Sequence, residues 1–422
     1  MRMLSLAARN LLRNRRRTAI SLVALVVGVG AMVGLRGFVN GQQRVILENL
    51  VFGQLGAVQV HKKGYLANVQ GSPLTLDLAD SEELRQRLAS VEGVTAVSPR
   101  ISFGGMLSLP DAEGATEEEG AGKTGFLQLT AYEPSRELKV TPQRAKWLGK
   151  GAHLSSVDAP ELLLNADMAR SLRADVTDAQ VPPERWPALL SGDREGALNG
   201  EAVRIVGTLV SATPGDRRQG YATLGTAQRL LRMEGRVTEY ALAVEKLEDA
   251  PRVRDAVRAL LGPEYEVHTW DEVMPFIKQL VGHQDFIFGI MTSVCLLTVL
   301  LGIVNVMLMS VLERVREIGT MLAVGTRRGQ VVSLFLLEGA VLGLVGGLLG
   351  ALVGWAVTVW LGHRGIVLPA PGASADSIIR PSVSFLYLVR SVGLATVGAA
   401  LAALWPAYRA ARLRPVEALA HS

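Results

Sequence analysis

The sequence lacks the second cysteine that a disulfide requires, and it lacks the residue clusters typical of metal sites and hydrolytic centres. Its 422 residues include one cysteine, Cys295, so no disulfide can form within the chain. Its six histidines are scattered, and no cluster of Cys, His and carboxylates has metal-ligand spacing. No nucleophile, base and acid stand together as a catalytic set. The sequence therefore predicts a protein with no catalytic residues, no metal and no cofactor of its own.

Charged residues are almost absent from long stretches near both ends of the chain. Hydrophobic residues make up 49% of the sequence and are concentrated in these stretches, whereas charged residues fill the middle. This division is typical of membrane segments that flank a soluble domain. The net charge of +5 could indicate nucleic-acid binding, but the arginines lie beside the apolar runs, where membrane topology explains them better. We therefore expect contact with membrane lipids and no nucleic-acid partner.

Four apolar runs are long enough to cross a bilayer, which takes about 20 residues in a helix. We predict transmembrane helices at residues 18–38, 285–312, 331–362 and 386–408. The first run has the basic flank of a signal peptide, but it is longer than the usual ~7–15-residue apolar core, and no A-x-A cleavage site follows it. We therefore predict that it is an uncleaved anchor.

The placement of arginine predicts the orientation, because cytoplasmic segments of membrane proteins are enriched in Lys and Arg. Arginines are concentrated in residues 1–17, 313–330 and 409–422, whereas residues 363–385 hold few charges. The first three segments should be cytoplasmic, and the fourth should be an external loop. Residues 39–284 should then form a large domain outside the inner membrane.

The predicted external domain mixes β-like runs with amphipathic helices. A helix is predicted at residues 81–90, where Ser81 can cap its N-terminus, and another at residues 252–261. The two helix-then-strand units, residues 82–100 and 252–270, favour a split βαβ layer built from both ends of the domain. The predicted fold class is therefore four transmembrane helices plus a large α+β periplasmic domain inserted between helices 1 and 2.

Between the two units we predict an inserted subdomain, at about residues 111–232. Apolar runs at residues 161–165 and 202–210 predict two strands within it. Stretches rich in Gly, Pro and charge predict mobile surface loops at residues 111–124 and 177–200.

A short motif in the first of these loops resembles part of a nucleotide site. Residues 120–124 are Gly-Ala-Gly-Lys-Thr, but the full phosphate-binding pattern needs a glycine five positions before Gly122, where Glu117 stands. Glu118 and Glu119 would repel phosphate, and the predicted topology places the loop outside the compartment that holds ATP. We therefore predict that the chain binds no nucleotide and depends on another protein for energy.

The segment between the second and third apolar runs alternates charges of both signs. The positive-inside rule explains its arginines, but not the two glutamates spaced i,i+4 or the apolar residues that follow them. A short amphipathic helix that docks into a partner's groove explains both features. The predicted coupling residues are Glu313, Arg314, Arg316, Glu317, Ile318, Gly319, Met321, Leu322 and Gly325.

Glycines recur at four-residue steps along the third apolar run. Small residues at this spacing allow two membrane helices to approach closely. Membrane helices are rich in glycine in general, but the regular steps favour a packing face. The predicted packing residues are Gly339, Gly343, Gly347, Gly350 and Gly354.

Two other classes of membrane protein fit the sequence less well. A signalling receptor would carry a cytoplasmic effector domain, whereas the predicted cytoplasmic parts are short segments. A channel or secondary transporter would place polar groups at mid-membrane, and the four runs have no charged centres.

Residues 313–325 resemble the E-R-x-x-E-I-G-x-x-x-A-x-G signature of the FtsX-like permease family, which includes MacB and the lipoprotein-releasing permeases of the LolC and LolE type. Three other segments are similar to family motifs: residues 9–14 to R-N-L-x-R, residues 335–339 to F-x-x-E-G, and residues 405–419 to P-A-x-x-A-x-x-x-x-P-x-E-A-L. One span, a large external domain and three further spans is also the family's arrangement. The resemblance covers the whole chain and is strongest in its last third.

The resemblance implies the permease subunit of an ATP-driven (ABC) transporter in the bacterial inner membrane. In this family a permease dimer works with ATPase subunits, which bind the ATP and Mg²⁺. The implied partners are two separate ABC ATPase subunits and a second permease copy or paralogue. Residues 313–330 would be the coupling helix, and long stalks of the first two spans would pass its movement to the periplasmic domain.

Two classes of cargo remain open. MacB has a fused N-terminal ATPase and this sequence has none, which favours the lipoprotein-releasing members of the family. The cargo would then be lipoproteins, which the permease would extract from the inner membrane and deliver to a periplasmic carrier. The alternative is MacB-like efflux of peptides or small molecules with an outer-membrane partner. Apolar side chains near the outer ends of the first two spans are candidate acyl-chain contacts, although lipid contact and helix packing explain each one equally well. They are Leu35, Phe38, Ile46, Phe276, Ile277, Leu280 and Phe286.

Overall fold

A computed structural model describes most of the chain, namely residues 15–71, 73–110, 123–178, 180–211, 213, 216–369 and 373–412. The predictions for the N-terminal motif, for the phosphate-loop-like sequence up to Gly122 and for the last part of the C-terminal motif lie outside the described residues. The chain divides into two compact units, which we call the helical unit and the α+β domain. The helical unit holds the described residues up to Gln43, from Leu280 to Ile366 and from Ile378 onward, and the α+β domain holds Arg44–Gln279 and Val367–Ser377.

The helices are α1 (Arg15–Leu50), α2 (Glu82–Ala89), α3 (Pro134–Val140), α4 (Ala166–Leu172), α5 (Leu224–Leu231), α6 (Ala250–Leu261), α7 (Trp270–Val273), α8 (Pro275–Glu313), α9 (Val315–Ala323), α10 (Arg328–Arg364) and α11 (Phe385–Ala411). The strands are β1 (Val58–Lys62), β2 (Leu78–Ala79), β3 (Val94–Ser108), β4 (Thr124–Tyr132), β5 (Leu148–Gly151), β6 (Glu161–Asn165), β7 (Ala188–Gly192), β8 (Leu198–Ala202), β9 (Arg204–Leu209), β10 (Gln219–Thr223), β11 (Arg236–Val237), β12 (Glu239–Val244), β13 (Tyr265–Thr269), β14 (Ile366–Leu368) and β15 (Ser377–Ile379).

Four helices of the described chain, α1, α8, α10 and α11, are long and apolar enough to cross a membrane. This arrangement, with the α+β domain between the first two helices, confirms the predicted fold class. Helix α1 has 36 residues and α8 has 39. At about 1.5 Å per residue, each is more than about 50 Å long, well beyond the roughly 30 Å hydrocarbon core of a bilayer.

Helix α10 presents two glycine faces to two different helices. A Cβ atom built on Gly343 would lie 2.7 Å from the carbonyl oxygen of Ala395 in α11, and Gly339 and Gly347 meet the same helix. A Cβ atom on Gly350 would lie 2.8 Å from Cβ of Val29 in α1, and Gly354 meets α1 as well. Because these glycines have no side chain, the backbones approach closely, and α10 packs between α1 and α11.

The two ends of the α+β domain form one antiparallel layer, in the strand order β13-β1-β12-β3. Helix α2 precedes β3, and α6 precedes β13, so each helix connects two strands that are separated in the sheet by a third. The apolar sides of both helices, through residues such as Leu88 and Val257, pack in one core with Val58 and Val60 of β1. The prediction of a split βαβ layer is therefore confirmed. Ser81 caps α2, since its side chain accepts a hydrogen bond from the Leu84 backbone at 3.2 Å.

The inserted subdomain extends the same sheet beyond β3 in the order β4-β10-β6-β9-β5. The strand predicted at residues 161–165 is β6, and most of the one predicted at 202–210 is β9. The prediction of a loop over residues 177–200 was wrong in part, because β7 lies within it and pairs with β3, and β8 starts within it and pairs with β7. The prolines that suggested a loop lie before β7, in and beside the short 3-10 turn Pro183–Arg185. A second turn is the β7–β8 connection, where the Asp193 carboxylate accepts two backbone hydrogen bonds and Gly196 has φ +87.

Candidate coupling site

The predicted coupling segment contains a short helix with a well-defined end. Helix α9 follows α8 after Arg314 alone, which separates the two helices. At the other end Gly325 has φ +99, a left-handed conformation that favours glycine. The Gly325 and Thr326 backbone N–H groups donate to the carbonyls of Leu322 and Met321, at 3.1 and 3.0 Å. This pair of bonds is a Schellman motif, so Gly325 has the role of stopping α9.

The apolar side of α9 packs within its own chain. Ile318 is fully buried, Gly319 is also buried, and Met321 and Leu322 are half-buried. Their neighbours are apolar residues of α8, α10 and α11, namely Val311, Val331, Val332, Phe335, Ala407, Ala410 and Ala411. In this structure Ile318 is therefore not available to a partner's groove, contrary to the reasoning from sequence. Periodicity finds an apolar face, but it does not show which surface covers that face.

The other side of α9 and its end are exposed. The exposed residues between Glu313 and Gly325 are Glu313, Arg316, Glu317, Thr320, Ala323, Val324 and Gly325. Val324, with 84% of its surface accessible, is the most exposed large apolar residue in the described chain. Val324 is thus a small apolar centre beside charges of both signs, an arrangement like the apolar core and polar rim of a protein–protein contact.

Arg314 connects α9 to the start of α10. Its Nε donates to Oε2 of Glu317 at 2.9 Å, and its Nη1 donates to Oε1 of Glu338 at 3.1 Å. Its guanidinium carbon also lies 5.9 Å from the centre of the Phe335 ring. Arg314 is 9% exposed and Glu338 is 3% exposed, so water screens this ion pair little. The pair holds α9 at a fixed position on α10.

Glu338 is the glutamate of the F-x-x-E-G motif and is not among the predicted coupling residues. The available signal was a carboxylate beside an apolar run, which needs a partner when it is buried. Its partner is 24 positions earlier in the chain, and only the folded structure brings the two together.

A second charged contact joins α1 to α8 within the helical unit. Arg36 Nη1 donates to Oδ1 of Asp285 at 2.7 Å, and Gln43 Nε2 donates to the same oxygen at 3.3 Å. The Arg36 guanidinium carbon also lies 5.2 Å from the ring centre of Phe288, which is buried. The two long helices are thus connected through a charged and a polar side chain of α1.

The seven candidate acyl-chain contacts differ in exposure. Phe276, Leu280 and Phe286 of α8 are exposed. Ile277 of α8 and three residues of α1, Leu35, Phe38 and Ile46, are half-buried. The seven residues are divided between the helical unit and the α+β domain.

Two family models match the chain. The model described as "MacB-like periplasmic core domain" matches residues 18–260, which is more than half of the chain. The model described as "FtsX-like permease C-terminal" matches residues 289–415, which include the coupling segment, α10 and α11.

The curated relatives include proteins named "Macrolide export ATP-binding/permease protein MacB". The one from Hyphomonas neptunium is 24% identical over 434 residues, which cover 98% of this chain and 60% of that protein. The one from Neisseria gonorrhoeae is 22% identical, with 97% of this chain and 59% of that protein covered. The chain thus spans about three fifths of the length of the relatives it matches.

Two solved structures show a weaker likeness. The periplasmic region of MacB from Actinobacillus actinomycetemcomitans matches with a TM-score of 0.35 and 11% identity, over 56% of this chain and 98% of that one. The extracellular domain of the ABC-type transporter YknZ from Gram-positive bacteria matches with a TM-score of 0.32 and 13% identity, over 50% of this chain and 100% of that one.

These relatives are MacB proteins, so the expected closeness in layout to the lipoprotein-releasing permeases is not confirmed. The two family models follow one another along the chain and together match α10, α11, most of α1 and the larger part of α8. The chain belongs to the family of MacB-like permeases with an FtsX-like C-terminal region.

Proposed function

We propose that this chain is the permease component of an ATP-driven export system, in which it passes movement from an ATPase to its α+β domain. The observation that carries the proposal is the position of α9, whose buried side is fixed by Ile318 and by the Arg314–Glu338 pair while its charged side is exposed. A force applied to the exposed side would reach α8 and α10 without first deforming α9. The ATP and Mg²⁺ belong to the ATPase in this proposal.

The docking surface on this chain is the exposed side of α9 and the residues at its two ends. It combines Glu313, Arg316 and Glu317 with the apolar Val324, so a partner needs charges of both signs around a small apolar pocket. This assignment replaces Ile318, Met321 and Leu322 as the contact residues and retains the charged ones. The ATPase can be a separate subunit or a domain of a longer protein.

The two long helices α1 and α8 are the elements that would carry movement away from the docking surface. Each is longer than a bilayer requires, and the Arg36–Asp285 contact joins them within the helical unit. Each is one continuous α-helix, of 36 and 39 residues, and we propose that each moves as a single lever. We propose that the permease works as a dimer with a second copy or a related chain.

For the cargo, we propose MacB-like export of a peptide or small molecule rather than extraction of lipoproteins. The family and the names of the curated relatives support this choice. A strain depleted of the protein should become sensitive to a peptide or drug while its lipoproteins reach their normal membranes. Lipoproteins retained in the inner membrane, with unchanged drug sensitivity, would favour lipoprotein release.

Copurification tests the coupling directly. The variant Arg316→Glu reverses a charge on the exposed side of α9, and Lys246→Glu makes the same change at an exposed position of the α+β domain. We expect Arg316→Glu to weaken binding of an ABC ATPase about tenfold, which corresponds to about 1.4 kcal/mol, and Lys246→Glu to leave it unchanged. Equal ATPase recovery with both variants would contradict the proposed docking surface.

A further inference from the structure

The chain leaves α1 through a π-helical turn whose last carbonyl groups accept hydrogen bonds from two buried arginines. After Leu50 the chain makes one π-helical turn, Val51–Leu55, and then leaves the helix at Gly56, where φ is +82. Arg144 Nε donates to the Gly53 carbonyl at 3.0 Å, and its Nη2 donates to the Gln54 carbonyl at 3.3 Å. Arg100 Nη1 donates to the Leu55 carbonyl at 3.0 Å. The final carbonyl groups of a helix have no hydrogen-bond donors within the helix, and here the guanidinium groups donate to them.

One carboxylate holds both arginines. Arg100 binds Glu137 in a bidentate manner, with Nη2 to Oε1 at 2.6 Å and Nε to Oε2 at 2.9 Å. Arg144 Nη1 lies 2.8 Å from the same Oε1. Thr141 Oγ1 also donates to that oxygen, at 2.9 Å. Each of these side chains is at most 1% exposed, so the cluster has little freedom to rearrange and no access to water.

Aromatic rings further limit the position of Arg144 and of the turn. The Arg144 guanidinium carbon lies 4.4 Å from the ring centre of Tyr221 and 4.9 Å from that of Tyr132. The π-helical turn itself lies against Trp147, since a Cβ atom on Gly53 would be 2.4 Å from that ring. The backbone N–H of Gln143 also donates to the Phe52 carbonyl at 3.0 Å.

Arg100 connects this cluster to the central sheet, whereas Glu137 lies in α3 and Arg144 begins the short 3-10 turn Arg144–Trp147. Arg100 is on β3 directly opposite Glu239 of β12, and Glu239 is directly opposite His61 of β1. Residues directly opposite each other share a face, and side chains alternate along a strand. The arginine cluster therefore lies on the face opposite to the one that packs on α2 and α6. The chain segment that follows α1 is thus bound to β3 of the split βαβ layer through Arg100.

The start of α8 is attached at the same end of the layer. Val58, the first residue of β1, pairs with Thr269, the last residue of β13. The Trp270 backbone N–H donates to the Ala57 carbonyl at 3.1 Å. Glu272 closes the capping box of α7 with Thr269, and α8 begins at Pro275. Both long helices thus reach the sheet at the ends of two paired strands.

We propose that Arg100, Arg144 and Glu137 form a rigid joint that makes the α+β domain follow the movement of α1. The three are positioning residues, which act on the backbone of the α1 end. A guanidinium can bind two carbonyls and a carboxylate at once in a fixed geometry, whereas a lysine in its place could not span all three. The role of the joint in transport rests on the proposed function, but its rigidity is a property of this chain alone.

Spin labels in the full chain, purified without any ATPase, test the joint. One label replaces Glu48 of α1 and the other replaces Ala259 of α6, both of which lie in the α+β domain, in a background with Cys295→Ser. Arg144→Lys and Arg100→Lys should make the distance distribution about twofold wider, because each removes donors from the helix end. Gly53→Ala, which pushes the turn away from Trp147, should shift or widen it without changing any charge.

The control is Arg236→Lys, at a more exposed arginine whose side chain is 37% accessible. Arg236 also binds a fully buried carboxylate, Asp77, through two hydrogen bonds of 2.5 and 2.6 Å, but neither residue contacts the α1 end in the described structure. Its distance distribution should stay as narrow as that of the parent. Unchanged distributions in all three joint variants would overturn the joint, as would equal widening in Arg236→Lys.

Transport assays separate the joint from the proposed function. In a reconstituted complex, Arg144→Lys should hydrolyse ATP at the parent rate while the cargo moved per ATP falls severalfold. Loss of both activities together would contradict a positioning role. If the parent chain binds no ATPase but the label distances still respond to Arg144→Lys, the proposed function fails and the rigid joint stands.

Discussion

Arg314 and Glu338 form a buried ion pair, with Nη1 of the arginine 3.1 Å from Oε1 of the glutamate. The pair joins the α8–α9 connection to the start of α10, two regions that the sequence separates by 24 positions. Arg314 also binds Glu317, the first acidic residue of α9. The coupling segment therefore has a defined position in the helical unit and is not an unattached loop.

Replacing one partner of this ion pair should destabilise the protein more than replacing both partners. Glu338→Gln leaves the Arg314 charge buried with one carboxylate fewer and should destabilise the purified protein by about 3–5 kcal/mol. The double variant Arg314→Met with Glu338→Leu should recover much of that loss, because two apolar groups replace the pair. Thermal unfolding in nanodiscs measures both. The same stability for the single and double variants would show that the pair is not energetically coupled.

The end of α9 should require glycine at position 325 because of the backbone conformation there. Its φ of +99 is strained for any residue with a Cβ atom, so Gly325→Ala should destabilise the end of α9 by about 1 kcal/mol and reduce ATPase binding. Gly329 provides the control, since it has ordinary helical φ and open space around its Cβ position. Amide hydrogen exchange of α9 should increase in Gly325→Ala and remain at the parent level in Gly329→Ala. Equal exchange in both would argue against the Schellman stop.

The glycine faces of α10 should tolerate no side chain. Gly343→Ala would place a methyl group 2.7 Å from the Ala395 carbonyl, and the resulting overpacking should cost about 1–3 kcal/mol. Gly393→Ala in α11 has open space and should be neutral or stabilising by up to about 1 kcal/mol. The unfolding temperatures of the two variants measure this difference. An unchanged unfolding temperature in Gly343→Ala would mean that α10 and α11 do not pack as described.

The α+β domain should lose stability in mild acid because of His61. Burial lowers the pKa of His61 from 6.5 to about 4, so the folded domain holds the neutral imidazole. Its stabilising contribution is fully present above pH 6.5 and is lost progressively as the pH falls from 6.5 to about 4. The loss should be about 3 kcal/mol. His61→Gln should remove this slope between pH 6.5 and 4, whereas His283→Gln, at an exposed site, should retain it. An identical slope in parent and His61→Gln would exclude His61 as its cause.

Much of the fold could be predicted from the sequence because its signals are local or periodic. Length and hydropathy identify the four long helices, and the recurrence of a helix followed by a strand predicts the split βαβ layer. The long stalks expected beyond the first two spans are present as well, because polar residues such as Gln42 continue α1 to Leu50 without a breaking signal, and α8 begins at Pro275. The loop prediction failed at β7 and β8, because turn-forming residues lie both before β7 and in the short connection between the two strands.

The candidate site was only partly predictable, since its contacts join distant parts of the chain. Periodicity located α9 and its apolar residues but could not show that Ile318 is covered by α8, α10 and α11. The partner of Arg314 and the arginines at the end of α1 gave no local signal. Arg100 lies in a strand and Arg144 in a segment with other basic residues, and both look like ordinary surface charges in the sequence.

Photocrosslinking from Val324 in living cells tests the coupling surface most directly. A photoreactive residue at this position, the most exposed large apolar side chain described, should form a covalent adduct with an ABC ATPase. The same residue at Phe286, which is 67% exposed in the apolar part of α8, should yield no such adduct. An ATPase adduct from Val324 alone is the result we expect. No ATPase adduct from Val324, or equal adducts from both positions, would contradict the assignment of this chain as a permease driven through α9.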